Sequence, residues 1–421
     1  MLLLRHCHIP RLDHLARSVE PTLLSEAMSI QDFQSRKTFV HLLGETFVDD
    51  QVWKQACLPI RMGGFGLTPL SSISGPAFVA SWSHTISELP SRFPHLKVIM
   101  DKFTCDASSP VGHAFRAYLP TNKKISDYKG IKKLQHQLSI SNFKEDFQHL
   151  VDAAPTARDE ARFRSLQGKS AGAWLHALPT SYSIALNPCE FCLACRLRLG
   201  LPITISKWVE SCNCNASLDD SGYHLLTCKT GGGPIWSHES IAVWLEYLRS
   251  LRIHHCREPR NRYTNSGCRP DIIMFNAESG ANINLDISLA HPWSSDVFPS
   301  SAEATGVAAN RRETRKMAKY EQHNLPGGSV VKVVPLVMEH FGSWGEEARK
   351  FLQKLAAFSS DEAGRPNAVE FLDFWRKRFS VQLQKCNVKV IAKKLSMLCG
   401  GSERPDSLLA PNFFLVSLSY I

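Results

Sequence analysis

An alternating run in the second half of the chain constrains the fold most. Residues 282–289 place apolar side chains at Ile283, Leu285, Ile287 and Leu289, and polar ones at Asn282, Asn284, Asp286 and Ser288. Because successive side chains of a strand point to opposite faces, this pattern predicts a strand with one buried side. A second apolar run, residues 272–275, precedes it across a short stretch that contains Gly280, so the two runs predict a hairpin.

The hairpin brings two acidic residues together. If residues 277–280 form the loop, Asp271 lies directly opposite Asp286. Opposite residues have Cβ atoms roughly 4.5–5.5 Å apart, and two carboxylates that close repel each other unless they are protonated or bridged by a cation. A hard divalent ion such as Mg²⁺ is the natural bridge. The pair therefore predicts a metal-dependent active site.

The composition limits the classes of function. The chain has 421 residues and a formal net charge of +10, a basic surplus that favours a polyanionic partner such as nucleic acid. No stretch of about 18 apolar residues occurs, so no membrane span is expected. The 13 cysteines follow no secretory signal, so they are expected to be thiols or metal ligands rather than disulfides.

A cluster of Cys and His residues predicts a structural Zn²⁺ site. Its candidate ligands are Cys212, Cys214, His224 and Cys228, three sulfurs and one imidazole. The alternative is a set of unrelated thiols in a Cys-rich loop. A rival ligand set, Cys189-x-x-Cys192-x-x-Cys195, lies in an apolar and basic stretch, where buried helical thiols are the favoured interpretation.

Downstream of the hairpin lies a basic segment, residues 311–323, that is expected to be helical. Helical spacing puts Lys316, Lys319, Tyr320 and His323 on one face. A lysine beside a two-carboxylate metal site can hold the scissile phosphate and stabilise an attacking hydroxide, whereas the alternative for this face is an ordinary solvated helix side. Glu258 could supply a further acidic ligand, or a surface salt bridge.

The remaining periodicity predicts the element order. Helices are expected at residues 170–178, 191–199, 236–251, 302–323, 344–357, 369–385 and 389–398, and strands at 270–275, 282–289 and 329–338. Residues 1–150 are predicted to be helical segments joined by short loops. The pair Asp49-Asp50 is interpreted as a helix end or turn, because the apolar hairpin of a polymerase Asp-Asp box is missing around it.

Several motifs occur in a defined order. They are Leu58-Pro59 with Gly63-Gly64-Phe65-Gly66-Leu67, Ala173-Trp174-Leu175 with Leu178-Pro179, Leu197-Arg198-Leu199-Gly200-Leu201-Pro202, Gly222-Tyr223-His224 with Cys228 and Gly231-Gly232-Gly233, Glu258-Pro259, Arg269-Pro270-Asp271, Asp286, Lys319-Tyr320, and Glu339. In this order, over roughly residues 1–355, the chain resembles the C-terminal part of the polyprotein of non-LTR retrotransposons that carry a restriction-like endonuclease.

The resemblance implies a nuclease of PD-(D/E)xK type that nicks target DNA, with the nick priming reverse transcription. Carried over by position, Asp271 and Asp286 would be ligands of Mg²⁺ and Lys319 the catalytic lysine, with Lys316 its rival. Ser288 stands where the restriction-enzyme pattern has Lys. Fingers and palm are absent, so no reverse transcriptase activity is expected from this chain.

The expected fold class is a multidomain α+β protein. The predicted parts are a helical remnant of the reverse transcriptase thumb or connector (1–150), a helical linker (151–205), a CCHC zinc knuckle (206–232), a restriction-endonuclease-like α/β domain (233–357) and a helical tail (358–421). The resemblance implies DNA and retrotransposon RNA as partners and a nuclear location. The alternative function is a non-catalytic nucleic-acid-binding fragment of a decayed or repurposed retrotransposon.

Overall fold

The computed structural model describes residues 1–106, 108–119, 125–128, 131–203, 210–230, 235–259, 269–278, 281–321, 332–359 and 367–398. The protein is mixed α+β, mostly helical, with one four-stranded sheet. It divides into two compact units. The N-terminal unit comprises residues 1–60 and 64–153, and the C-terminal unit comprises residues 61–63 and the described residues from Ala154 onward.

The N-terminal unit is helical, as predicted. Its α-helices are α1 (Asp13–Ser18), α2 (Ser25–Leu42), α3 (Asp50–Cys57), α4 (Leu70–Arg92), α5 (Lys97–Cys105), α6 (Pro110–Tyr118) and α7 (Leu134–Asp152). Side-chain caps fix two helix starts. Asp49 accepts a hydrogen bond from Val52 N at the start of α3, and Asp32 accepts one from Leu70 N at the start of α4. The Asp49-Asp50 pair therefore begins a helix, which agrees with its interpretation as a helix end.

The C-terminal unit contains the sheet. Its α-helices are α8 (Ala157–Leu166), α9 (Pro188–Leu199), α10 (Tyr223–Thr227), α11 (Ile235–Ser250), α12 (Phe298–Glu303), α13 (Val307–Glu321), α14 (Glu346–Ser359) and α15 (Ala368–Leu398), and its strands are β1 (His255–Arg257), β2 (Ile272–Glu278), β3 (Ala281–Ala290) and β4 (Lys332–Glu339). The strand order is β1-β2-β3-β4, antiparallel up to β3 and parallel between β3 and β4.

One apolar face of the sheet packs against three helices. Met274 of β2 and Leu285 of β3 are fully buried in a core that also holds Tyr247 of α11, Leu352 of α14 and Phe379 of α15. The apolar residues that alternate along β3 are the ones that face this core. It also includes α15, so residues predicted to be a separate tail pack in the same core as the sheet.

The opposite face of β3 is also buried, contrary to the predicted single buried side. Asn284, Asp286 and Ser288 are 0%, 5% and 8% exposed. The segment 281–290 leads by way of α12 and α13 into β4, and α13 contacts both β3 and β4. Helix α13 therefore covers polar side chains that the pattern alone assigned to solvent.

Several predicted boundaries are wrong. Residues 170–178 form no α-helix but a 3₁₀ turn at Ala173–His176, and the two helices predicted at 369–385 and 389–398 are the single helix α15. The helix predicted at 302–323 is divided between α12 and α13, separated at Gly306 with φ +76°. His323 lies outside the described residues.

None of the helices in the described part of the chain combines the length and the apolar character needed to cross a lipid bilayer.

Candidate active site and metal centre

Asp271, the residue before β2, lies beside Asp286 of β3. The register pairs Ile272 with Leu285, which puts Asp271 opposite Asp286 at the next position. Backbone and side chain both hold Asp271 against β3, since its N–H donates to Leu285 O at 3.0 Å and its Oδ2 accepts from Ile287 N at 2.6 Å. Glu278, which was expected in the loop, pairs with Ala281, and a register shift between Met274 and Glu278 leaves the acid pair aligned.

Burial and mutual repulsion raise the pKa of Asp271 to about 6. Burial is the larger cause, and the neighbouring Asp286 charge is the next, while the Ile287 N–H and the Lys316 charge oppose the shift. The two carboxylates are also within hydrogen-bonding reach of each other. Such a pair is stable when it shares a proton or when a cation neutralises it.

Lys316, not Lys319, contacts the acid pair. Lys316 lies on α13, and its Nζ forms an ion pair with Asp286 Oδ1, both side chains being largely buried. Lys319 is exposed, with its Nζ 5.6 Å from the centroid of the Tyr320 ring. Tyr320 is buried and its hydroxyl donates to Arg269 O at 3.2 Å, two residues before Asp271. The predicted shared face therefore places its members in different environments.

Two buried glutamates fix the position of α13. Glu339, the last residue of β4, accepts a hydrogen bond from Ala309 N at 3.1 Å and one from the Ser165 hydroxyl, next to the start of α13. Glu313 on α13 accepts from Glu347 N and Ala348 N, both at 3.0 Å, and so caps α14.

Gly345 leaves the room that the Glu313 carboxylate needs at the start of α14. A Cβ atom on Gly345 would lie 2.1 Å from Glu313 Oε1. The resemblance included Glu339, whereas Glu313 was missed, because an acidic residue in a basic helix carries no distinctive pattern.

Glu258 lies next to the pair along the sheet. Its N–H donates to Asp271 O at 2.8 Å, so Glu258 just after β1, Asp271 just before β2 and Asp286 in β3 occupy one row. Its carboxylate lies 3.6 Å from Arg257 Nη2 and 3.8 Å from Arg269 Nη2. Glu258 is therefore placed for either predicted role. Its backbone lies beside the acid pair, as a further acidic ligand requires, and its side chain lies near two arginines, as a salt bridge requires.

The predicted Cys and His ligands converge. The ligand atoms of Cys212, Cys214, His224 and Cys228 all lie within 4.8 Å of one another. Separations include 3.3 Å from Cys214 Sγ to His224 Nε2 and 3.8 Å from Cys228 Sγ to both other sulfurs. Three thiols and one imidazole are the donor set of a tetrahedral zinc site, so the four side chains could bind a metal such as zinc.

Local structure orients these ligands. Asp219 accepts from Tyr223 N at 3.0 Å and His224 N at 2.9 Å, which fixes the start of α10. Thr230 N donates to Cys228 Sγ at 3.4 Å. Burial alone would raise the pKa of Cys228, but the hydrogen bonds from Thr230 and the neighbouring thiols outweigh it and lower the pKa to about 6. A thiol that ionises this easily is suited to binding a metal.

The rival thiols Cys189, Cys192 and Cys195 do not form such a centre in the described residues. They lie on α9, and Cys192 and Cys195 are buried. Burial raises the pKa of Cys195 well above its usual value, as expected for a thiol packed in a helical core.

A cavity of about 600 Å³ adjoins the acid pair. It lies among β3, α13, α15 and the segment that follows α10, and its lining includes Ser288, Lys316 and Cys228. Lys393 and Lys394 of α15 also line it, and Lys394 Nζ donates to Cys228 O. No sequence pattern pointed to these two lysines, because more than a hundred residues separate them from Asp286.

Compared with known proteins, the chain matches no protein-family model and no curated protein.

Proposed function

We propose that the C-terminal unit is a divalent-metal-dependent DNA endonuclease that nicks one strand of its target, as the resemblance to non-LTR retrotransposon nucleases implies. The observation that carries this proposal is the adjacent pair Asp271 and Asp286 with Lys316 bonded to Asp286. Burial and, next to it, the charge of Asp286 raise the pKa of Asp271 to about 6, and carboxylates perturbed in this way are concentrated at functional sites.

Asp271 and Asp286 would hold Mg²⁺, because hard divalent ions prefer carboxylate oxygens. When bound, Mg²⁺ lowers the pKa of a coordinated water and neutralises charge on the phosphate. Lys316 would donate to the phosphate or to the attacking hydroxide as negative charge develops there. Tyr320 acts through the backbone at Arg269 and is a positioning residue.

The Cys212, Cys214, His224 and Cys228 cluster would hold a structural Zn²⁺. Lys229, which follows the ligand Cys228, lines the cationic cavity, and this charge suits binding of DNA or retrotransposon RNA. The resemblance to non-LTR retrotransposons implies that this activity takes place in the nucleus.

A nicking assay tests the proposal. Zinc-loaded protein is incubated with supercoiled plasmid and Mg²⁺, beside Asp271→Ala, Asp286→Ala and the control Asp373→Ala, an exposed α15 acid paired with Lys377. We expect the first two variants to lose at least about 100-fold in rate and the control to match the parent. A parent that does not nick, or equal nicking by all four proteins, refutes the proposal.

The second candidate is a nucleic-acid-binding protein without catalysis. The cavity favours it, because seven Lys or Arg side chains and a single carboxylate, that of Asp296, line it. Salt-sensitive DNA binding by a parent that does not nick would support this candidate.

A further inference from the structure

The cavity beside the acid pair has the size of a binding site for one nucleotide. Its volume of about 600 Å³ falls within the range of roughly 300–1,000 Å³ typical of small-molecule sites. A DNA duplex, whose major groove alone is about 12 Å wide, is too large to enter it.

The charge of the lining selects an anion. Its cationic residues are Lys229, Arg311, Arg312, Arg315, Lys316, Lys393 and Lys394. Some are already engaged: Arg315 pairs with Asp296, Lys316 with Asp286, and Lys394 with Cys228 O. Arg312 and Lys393, on α13 and α15, are exposed and can receive a phosphate from two sides.

The rest of the lining fits a ring with polar edges. Leu226, Ile287, Leu289, Val297 and Val390 supply apolar surface. Two further lining residues, Ser288 and His291, are 8% and 3% exposed, and their Oγ and Nε2 atoms have no hydrogen-bond partner in the described part of the chain. Buried polar atoms rarely stay unsatisfied, and a rotation of either side chain toward the cavity would let it bond the polar edge of a ligand.

We propose that this cavity receives one unpaired nucleotide of the DNA strand, with its base on the apolar lining and its phosphate on Arg312 and Lys393. The proposal rests on the proposed endonuclease function, because Ser288 and Lys316 connect the cavity to the acid pair. Extruding a base costs least where it is mismatched or already single-stranded. The enzyme therefore prefers DNA with an unpaired nucleotide at the site.

Binding measured without Mg²⁺ tests the cavity apart from catalysis. The probes are a labelled duplex with one unpaired nucleotide, the same duplex fully paired, and one with an abasic residue in place of the unpaired nucleotide. We expect the zinc-loaded parent to bind the first at least about tenfold more tightly than the others, as burial of the base on the apolar lining implies.

Two variants test whether the preference for the unpaired probe arises in the cavity. Val390→Trp fills the cavity and removes the preference, and Lys393→Ala weakens binding of the unpaired probe, whereas Lys377→Ala, the same charge change elsewhere on α15, leaves it unchanged. If Val390→Trp does not fold, Lys393→Ala against Lys377→Ala decides. Equal binding of paired and unpaired probes by the parent, or no effect of Lys393→Ala, overturns the cavity proposal.

The two proposals fail separately. Loss of the preference with Mg²⁺-dependent nicking intact removes only the nucleotide site. A preference for the unpaired probe in a protein that never nicks removes the endonuclease.

Discussion

Asp271 and Asp286 lie side by side but have different partners. Asp286 is paired with Lys316, whereas Asp271 accepts a backbone hydrogen bond from Ile287 and is repelled by Asp286. The same substitution at the two positions is therefore expected to have opposite effects on stability.

Asp271→Asn is expected to stabilise the protein at high pH in buffer without added divalent ions. The pKa of Asp271 is raised from 3.8 to about 6. The contribution of this residue to the stability of the folded protein is therefore greatest below pH 3.8, where the carboxyl group is protonated, and it is lost as pH rises through about 6. Removing the charge should raise the free energy of unfolding by about 1–3 kcal/mol near pH 8, a gain that falls to about half near pH 5 and disappears only below about pH 4. Thermal unfolding of zinc-loaded protein at the two pH values measures this.

Asp286→Asn is the comparison for that experiment. It leaves the largely buried Lys316 ammonium without its carboxylate, so it lowers stability at both pH values. Equal shifts in the two variants would contradict the asymmetry.

The two candidate lysines are distinguished by substitution. Lys316→Ala is expected to reduce the nicking rate about 100-fold or more, because its Nζ is bonded to Asp286. Lys319→Ala is expected to leave the rate near that of the parent, because Lys319 is exposed beside Tyr320. Initial nicking rates measure both, and a reversed order would assign the catalytic role to Lys319.

At the scale of elements, α15 is part of the core that supports the site. Phe379 is 2% exposed and contacts the rings of Trp244, Tyr247 and Trp344. Phe379→Ala is expected to cost about 3–5 kcal/mol of unfolding free energy. Phe374→Ala, which truncates a half-exposed ring on the same helix, should cost much less. Denaturant unfolding measures the difference, and equal costs would mean that α15 is not part of this core.

The Cys and His segment packs on the same helix. Leu225 of α10 lies in a core with Leu193 of α9 and Ile391 of α15. We expect one zinc per chain by metal analysis, lost with a lowered melting temperature in Cys214→Ser and His224→Ala. Cys7→Ser, an exposed thiol outside the cluster, should keep the zinc. A parent without zinc, or full zinc content in the two cluster variants, contradicts this.

The sequence predicted local features well. The alternation of residues 282–289 gave β3 and the register that aligns Asp271 with Asp286, because period-two patterning and the hairpin act over short range. The Cys and His spacing gave the ligand cluster for the same reason.

Features that depend on distant segments could not be predicted. The buried polar face of β3 depends on how α13 packs. The length of α15 depends on its packing in two hydrophobic cores, one with the sheet and one with α9 and α10. Helical spacing grouped Lys316 with Lys319, and only the position of α13, fixed by Glu313 and Glu339, separates them.

At the scale of the whole molecule, every residue of the candidate site lies in the C-terminal unit. We expect residues 154–398 expressed alone to fold and to nick plasmid with the metal dependence of the full chain. Circular dichroism and the nicking assay test this. A folded fragment without activity would show that the N-terminal unit takes part in catalysis.

We propose that Asp271 and Asp286 together hold one divalent cation. Electron paramagnetic resonance of Mn²⁺ added to zinc-loaded protein counts that ion directly. We expect one bound Mn²⁺ per chain that Mg²⁺ displaces, lost in Asp271→Ala and in Asp286→Ala and retained in Asp373→Ala. Unchanged Mn²⁺ binding in the first two variants, or no binding by the parent, would contradict it.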